Sequence, residues 1–231
     1  MKSNKRKVII SPHCDDALLS LGGSICRWQS TEIEVITVFG TCAWAVGGDM
    51  SAAEITRLNR QEELKALQKA GSKCVLLDFD EVLLRGYEKW NSEPNMNDQN
   101  LREDVEKTLR NLVKPNSEVY VPLAVGGHTD HVICKDAAIQ NIELWFENNC
   151  EVYFYEDLPY SWYDDPSLTA KKLGYKSKQI FTDITEFMSC KIYLIKIYKT
   201  QIGVEEVRKV REYARRVNGG RESERVWQVQ Q

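Results

Sequence analysis

Short apolar runs recur along the chain, with intervals between them long enough for a helix. Four read as strands: KVIIS from Lys7, EVITVF from Glu34, CVLLDF from Cys74 and EVYVP from Glu118. Between them the hydrophobic period becomes that of a helix. AEITRLNRQEELKALQKAG has the clearest boundaries, opening on an N-cap near Ser51 and stopping at Gly71. A fifth strand, EVYFYE, follows the helical stretch HVICKDAAIQNIELWFEN, and two more helices, DITEFMSCKIYLIKIYKTQ and VEEVRKVREYARRV, close the chain. Strands alternating with helices predict βαβ units and a mostly parallel sheet covered on both faces. Three loop-like segments interrupt the pattern: GTCAWAVGGDM after the second strand, LLRGYEKWNSEPNMNDQN after the third, and DLPYSWYDDPSLTAKKLGY after the fifth. The first two leave the carboxyl edge of the sheet, where open α/β sheets bind ligands.

Length and composition narrow the class without changing the fold. The 231 residues suffice for one sizeable core, so residues 1–231 are expected to form a single α/β domain. Apolar residues at 42% and charged residues at 28% exclude a disordered or fibrous chain. A net charge of −3 leaves no electrostatic footprint for nucleic acid, and the basic run KSNKRK is too short and too terminal to create one. No run is long enough to span a bilayer. The basic N-terminus passes directly into VIISPHCDD without a separate apolar region or cleavage site, so the expected location is the cytoplasm. Seven cysteines stand singly at positions 14, 26, 42, 74, 134, 150 and 190, with no C-x-x-C pair. They read as reduced, mostly buried thiols.

The chemistry concentrates in two loops. The chain has three histidines: His13 ends the first strand, while His128 and His131 follow the fourth. Taken singly, a histidine at a strand end reads as a hydrogen-bonded structural residue, and the pair Asp15–Asp16 as a helix cap with its neighbour. Taken together they read differently. Strands one and four are commonly neighbours where a doubly wound sheet reverses direction, which would bring both loops to one crevice. Adjacent carboxylates are cheap to hold beside a cation, and imidazole with carboxylate suits a catalytic zinc that keeps an open position.

The segments SPHCDDALLSLGG and GGHTDH resemble the PIG-L/LmbE family of zinc-dependent deacetylases of N-acetylglucosamine-containing molecules. RQEELKALQKAG, DITEFMSCKIYLIKIYKTQ and RESERVW resemble later parts of the same family pattern, so the likeness covers nearly the whole chain. It implies a Rossmann-like three-layer α/β/α fold with the metal at the carboxyl ends of strands one and four. It further implies that His13, Asp16 and His131 hold Zn2+, or another divalent metal such as Fe2+, with Asp15 as general base. His128 would be the electrostatic or acid group on the amide, and Asp130 would orient or tune it. The implied activity is hydrolysis of the N-acetyl group of an amino sugar or glycoconjugate; the alternatives are an amidase for a larger acyl group and a non-catalytic sugar-binding relative. The implied partner is a small-molecule substrate, and self-association into a homo-oligomer stays open.

Two positions depart from the family motif. Ala17 stands where the family has Glu, and Cys14 where it commonly has Pro; Cys14 reads as a packing residue rather than a ligand. Gly22 and Gly23 fall inside the helix, where close packing is a better use for them than phosphate binding. Arg60, three residues before Glu63, reads as a solvated pair or a group near the site. Trp44, Trp90, Tyr160 and Trp162 lie on the three loops and either stack on a sugar ring or pin those loops.

Overall fold

A computed structural model describes residues 5–28, 31–46, 48–92 and 98–231. The elements run β1 (Arg6–Ser11), α1 (Asp16–Arg27), β2 (Ile33–Thr37), α2 (Ala52–Lys69), β3 (Lys73–Leu76), α3 (Gln99–Leu112) and β4 (Ser117–Pro122). They continue α4 (Thr129–Glu147), β5 (Glu151–Tyr155), α5 (Pro166–Ala170), β6 (Ser177–Asp183), α6 (Met188–Ile195), α7 (Val204–Arg216) and β7 (Ser223–Val229). One seven-stranded sheet has the order β3-β2-β1-β4-β5-β7-β6. The first five strands are mutually parallel, and β7 runs antiparallel to both neighbours.

The alternating geometry of the strands divides the core into two layers. Ile9, Tyr120, Tyr153 and Tyr155 point to the face packed by α1, α6 and α7, where Leu18, Leu21, Ile195 and Val210 join them. Val8, Ile10, Val119, Val121 and Phe154 point to the other face, against Leu109 of α3 and Ile133, Ala137 and Trp145 of α4. Strands buried on both sides account for the near-continuous apolar runs in the sequence. The expected three-layer α/β/α architecture is observed, with β1 and β4 adjacent.

Several boundaries follow local chemistry. Ser51 caps α2 in a capping box with Glu54. That helix ends at Lys69, and Gly71 follows at φ +69°, a left-handed value suited to glycine. β6 and α3 are among the elements that the apolar pattern does not mark. β6 is an edge strand whose residues are half-buried or exposed, including Lys178 and Gln179, so it carries no apolar run. α3 buries only Val105 and Leu109, a thin stripe on a charged helix.

The expectation of seven reduced thiols is corrected. Cys26 of α1 and Cys190 of α6 form a disulfide, while Cys14, Cys42, Cys74, Cys134 and Cys150 are free. The partners lie 164 residues apart, and the α1–α6 packing that joins them is tertiary. Residues 93–97 of the second expected loop, Gly47 of the first, and the start of the basic N-terminal run lie outside the described residues.

Candidate metal centre and cleft

The loop after β1 is folded by its own polar groups. Ser11 Oγ donates to the His13 carbonyl at 2.7 Å and accepts the Ala17 N–H at 3.0 Å, tying the strand end to the first turn of α1. Asp15 occupies the N-cap position at φ 104°, an unusual conformation for a non-glycine residue, and its side chain makes no cap bond. Asp15 is therefore not used as an ordinary helix cap. Asp16 turns back, and its Oδ2 accepts the His13 N–H at 2.9 Å. Burial and the charge of Asp16 push the Asp15 carboxyl well above the usual range.

His131, in the first turn of α4, meets this loop from β4. Asp16 Oδ2 stands 3.2 Å from His13 Nδ1 and 3.2 Å from His131 Nε2. His13, Asp16 and His131 thus offer three ligand atoms within 4.8 Å of one another. His131 Nε2 is fully buried without an aligned hydrogen-bond partner, an arrangement that a bound cation satisfies. The two imidazoles and one carboxylate suit a divalent metal such as Zn2+, so these residues fit the group. Burial opposes ionisation of Asp16, but His131 and His13 overcome it and hold its carboxyl far below the usual range. Burial likewise opposes charging His131, yet Asp16 and Asp157 raise it to about 9. In the absence of a metal, protons on the imidazoles compensate the carboxylates.

Each of the two histidines is steered from behind by a carboxylate. Asp130 Oδ2 lies 2.8 Å from His13 Nε2 and accepts the Val82 N–H at 3.0 Å, while its Oδ1 faces Arg85 at 2.8 Å. Asp157 Oδ1 lies 2.7 Å from His131 Nδ1, and its Oδ2 accepts the Val125 N–H at 2.9 Å. Such partners fix the ring orientation of metal-binding histidines. Asp130 also meets His128, whose Nδ1 accepts its backbone N–H at 3.2 Å, while its carboxylate is turned to His13. Asp157 and Arg85 were not anticipated. A carboxylate shortly after the third consecutive parallel strand of the β1-β4-β5 series was the available signal for Asp157.

His128 lies beside the cluster rather than in the His13–Asp16–His131 set, its ring centroid 4.7 Å from that of His13 and 5.0 Å from that of His131. A second grouping of His13, His128 and Asp130 also has metal-ligand spacing, but there the Asp130 carboxylate is already engaged by His13, Val82 and Arg85. Burial, with His13 and His131 nearby, pulls His128 down to about 2, so it is neutral near pH 7. With Nδ1 accepting from the Asp130 backbone, the assigned tautomer carries its proton on Nε2.

These residues open into a cleft of about 540 Å³ between the carboxyl ends of β1 and β4 and the segment before α7. Trp44, Trp90 and Tyr160 line it together with His13, Asp15, Asp16 and His128. Trp90 stacks on His128 at 5.5 Å between centroids, and its carbonyl accepts from Thr129 at the start of α4. Trp162 lies elsewhere, under the Arg216 guanidinium in a separate hollow. Arg60 is also outside the cleft and pairs with Asp78. Glu63 is buried beneath the site, accepting Thr37 Oγ1 at 2.7 Å and the Tyr198 hydroxyl and facing the Asp15 backbone N–H. Cys14 and Ala17 are buried in the core, and burial pushes the Cys14 thiol well up, as a packing residue requires.

A family model described as "PIG-L: GlcNAc-PI de-N-acetylase" matches residues 8–142, which include both histidine loops. The chain is 28% identical over 223 residues to 2'-N-acetylparomamine deacetylase of Streptomyces fradiae, covering 91% of this chain and 78% of that protein. Its fold matches that of a zinc-inhibited form of teicoplanin deacetylase Orf2 with a TM-score of 0.80, at 24% identity over 98% of both chains. It matches N,N'-diacetylchitobiose deacetylase of Pyrococcus horikoshii with a TM-score of 0.69, at 20% identity over 97% of this chain and 84% of that one. The two solved structures establish the fold, and the family match, which spans more than half of the sequence, shows that the chain belongs to the PIG-L family.

Proposed function

We propose that the chain is a metal-dependent hydrolase that removes the N-acetyl group from an N-acetylglucosamine-type sugar or sugar conjugate. The observation that carries this reading is the meeting of the His13–Asp16–His131 group with Asp15 and His128 at one cleft, which His131 backs from its buried position. A divalent metal held by the three ligands, Zn2+ in the first instance, would polarise the acetyl carbonyl and acidify a water. Asp15 has a carboxylate that makes no cap bond to its own helix and a raised proton affinity, so it serves as the group that takes the proton from water. It then delivers that proton to the departing amine, which leaves poorly as an anion. The neutral His128, with its proton on Nε2, donates a hydrogen bond to the oxygen that gains charge. Asp130 and Asp157 hold the rings of His13 and His131 in register.

The relatives named deacetylases for N-acetylparomamine and N,N'-diacetylchitobiose support the choice of an amino-sugar substrate. We read residues 1–231 as one catalytic unit, because a single sheet contains strands from both ends of the chain. No helix among the described residues is long and apolar enough to cross a membrane. The five free cysteines support the further proposal of a cytoplasmic location, although the Cys26–Cys190 pair is unusual there. The deciding experiment measures acetate release from a panel of N-acetylglucosaminides by the zinc-loaded protein. Release that disappears in His13→Ala and His131→Ala, with metal content lost in parallel, is the expected result; full metal content in either variant would remove the assigned ligands.

A further inference from the structure

Among the described residues that line the cleft, the side chains that carry charge outside the metal cluster are all acidic. Glu81, in the segment after β3, and Glu206, in the first turn of α7, line the cleft with Asp15 and Asp16, and no Lys or Arg is among its described lining residues. A divalent cation offsets the two aspartates. Of the two glutamates, Glu206 has a loose ion pair with Lys209 at 3.7 Å, and Glu81 has no counter-charge among the described residues that line the cleft.

Glu81 is the more telling of the two. It is only 5% exposed, and its hydrogen-bond partners, the Ala43 N–H and the Cys42 thiol, are uncharged. Arg85, the cation four residues along, is committed to Asp98, Asp130 and the Asp80 carbonyl. A carboxylate withdrawn from water without a counter-cation is costly to maintain. Glu206 accepts the Gly203 N–H at 3.1 Å, and its other oxygen is 3.7 Å from Lys209, beyond hydrogen-bond distance. Trp44 presents a half-exposed indole in the same cleft, on the loop whose Ala43 binds Glu81, and an aromatic face also attracts cations.

We propose that the cleft selects an N-acetylated sugar carrying at least one further protonated amine, as in an aminoglycoside. Glu81 receives that ammonium group in the wall, and Glu206 supplies a second acceptor. The proposal rests on the deacetylase reading for the identity of the cleft. A phosphorylated sugar finds no Lys or Arg among the described lining residues and is disfavoured.

Calorimetric titration of the zinc-loaded protein compares two amines: paromamine, a glucosaminide whose aminocyclitol bears two additional amino groups, and methyl glucosaminide, which lacks them. Paromamine binds about tenfold more tightly at low ionic strength, and the advantage shrinks in high salt. Glu81→Gln removes most of the advantage and Glu206→Gln part of it, whereas Glu147→Gln at the exposed end of α4 preserves it. Equal affinities in the wild-type protein, or an advantage that survives both cleft substitutions, overturns the proposal. If Glu81→Gln does not fold, the wild-type comparison and Glu206→Gln still decide it. Acetate release is read separately. A protein that deacetylates methyl N-acetylglucosaminide but shows no amine preference keeps the deacetylase reading and loses this one, and a protein that selects paromamine through Glu81 but releases no acetate does the reverse.

Discussion

Asp15 and Asp16 are chemically identical neighbours, yet the backbone separates their tasks. Asp16 faces two imidazoles, while the positive φ of Asp15 frees its carboxylate for the cleft. Asp15→Asn should therefore retain a full metal complement while kcat/KM falls by about 10²–10⁴, the usual range for loss of a positioned proton acceptor. Metal analysis beside acetate-release kinetics checks this; a nearly fully active variant would require another base. Asp157→Asn is expected to divide differently, weakening metal affinity about 10–100-fold because His131 loses the group that orients it. Glu63 gives a pH signature in the metal-free protein. Burial raises its carboxyl to about 7 from 4.5, so the folded state binds the proton more tightly than the unfolded state does. Its favourable contribution is present below about 4.5, falls as pH rises and is gone above about 7, a change of order 3 kcal/mol at most. Urea unfolding across that window should show stability declining with pH in the wild type and a flatter profile in Glu63→Gln. Parallel profiles would mean that Glu63 ionises in the fold at no cost.

At the scale of elements, α1 joins the site to the rest of the fold through its glycines. An added Cβ at Gly23 would lie 2.6–2.8 Å from Ile184 side-chain atoms, and one at Gly22 would lie 3.0 Å from Lys191 Cγ. Glycine inside a helix ordinarily costs about 1 kcal/mol relative to alanine. Here the sign should reverse: Gly23→Ala is expected to lower the unfolding midpoint, by about 1–3 kcal/mol of stability, because Ile184 is a buried branched side chain with little room to shift. A stabilised variant would show that α6 and the turn before it can move away. The disulfide between α1 and α6 has its own check, since titration in denaturant should count five free thiols before reduction and seven after it. Seven before reduction would restore the all-thiol reading. These features also mark what a sequence reveals about elements. Four of the five parallel strands were legible because burial on both faces leaves long apolar runs, as in KVIIS and EVYFYE, and the half-buried edge strand β3 was legible because it kept an apolar run of its own, CVLLDF. β6 was hidden because an edge strand needs no such run, and the Cys26–Cys190 pairing because it depends on which helices meet.

For the whole molecule, the sheet order brings together residues more than a hundred positions apart. β1 beside β4 sets His13 against His131 and Asp130, and that much could be read from two histidine loops placed at strand ends. The surroundings of the site could not, because they depend on where loops fold. Asp157 reaches the site from beyond β5, Arg85 from the loop after β3, and Glu206 from α7. The aromatic residues show the same division. Trp44, Trp90, Tyr160 and Trp162 were equivalent as loop aromatics, but the folded chain places the first three in the cleft and Trp162 under Arg216. Substrate recognition should divide along that line. Trp90 is 41% exposed and also stacks on His128, so Trp90→Ala removes both an apolar face for a sugar ring and a support for the proposed hydrogen-bond donor. Its KM should rise and its kcat fall, together lowering kcat/KM by about 10–100-fold. Trp44, half exposed and without a contact to the metal-cluster histidines among the described aromatic pairs, contributes a binding face alone, so Trp44→Ala should raise KM by a few-fold, roughly, with kcat preserved. Trp162→Ala should leave both constants unchanged and lower the unfolding midpoint instead, since it removes a cation–π partner and packing near Tyr213. Steady-state kinetics of the three variants on one substrate, alongside their thermal midpoints, separates these outcomes. A kinetic defect in Trp162→Ala equal to that of Trp90→Ala would show that the cleft does not define the recognition surface.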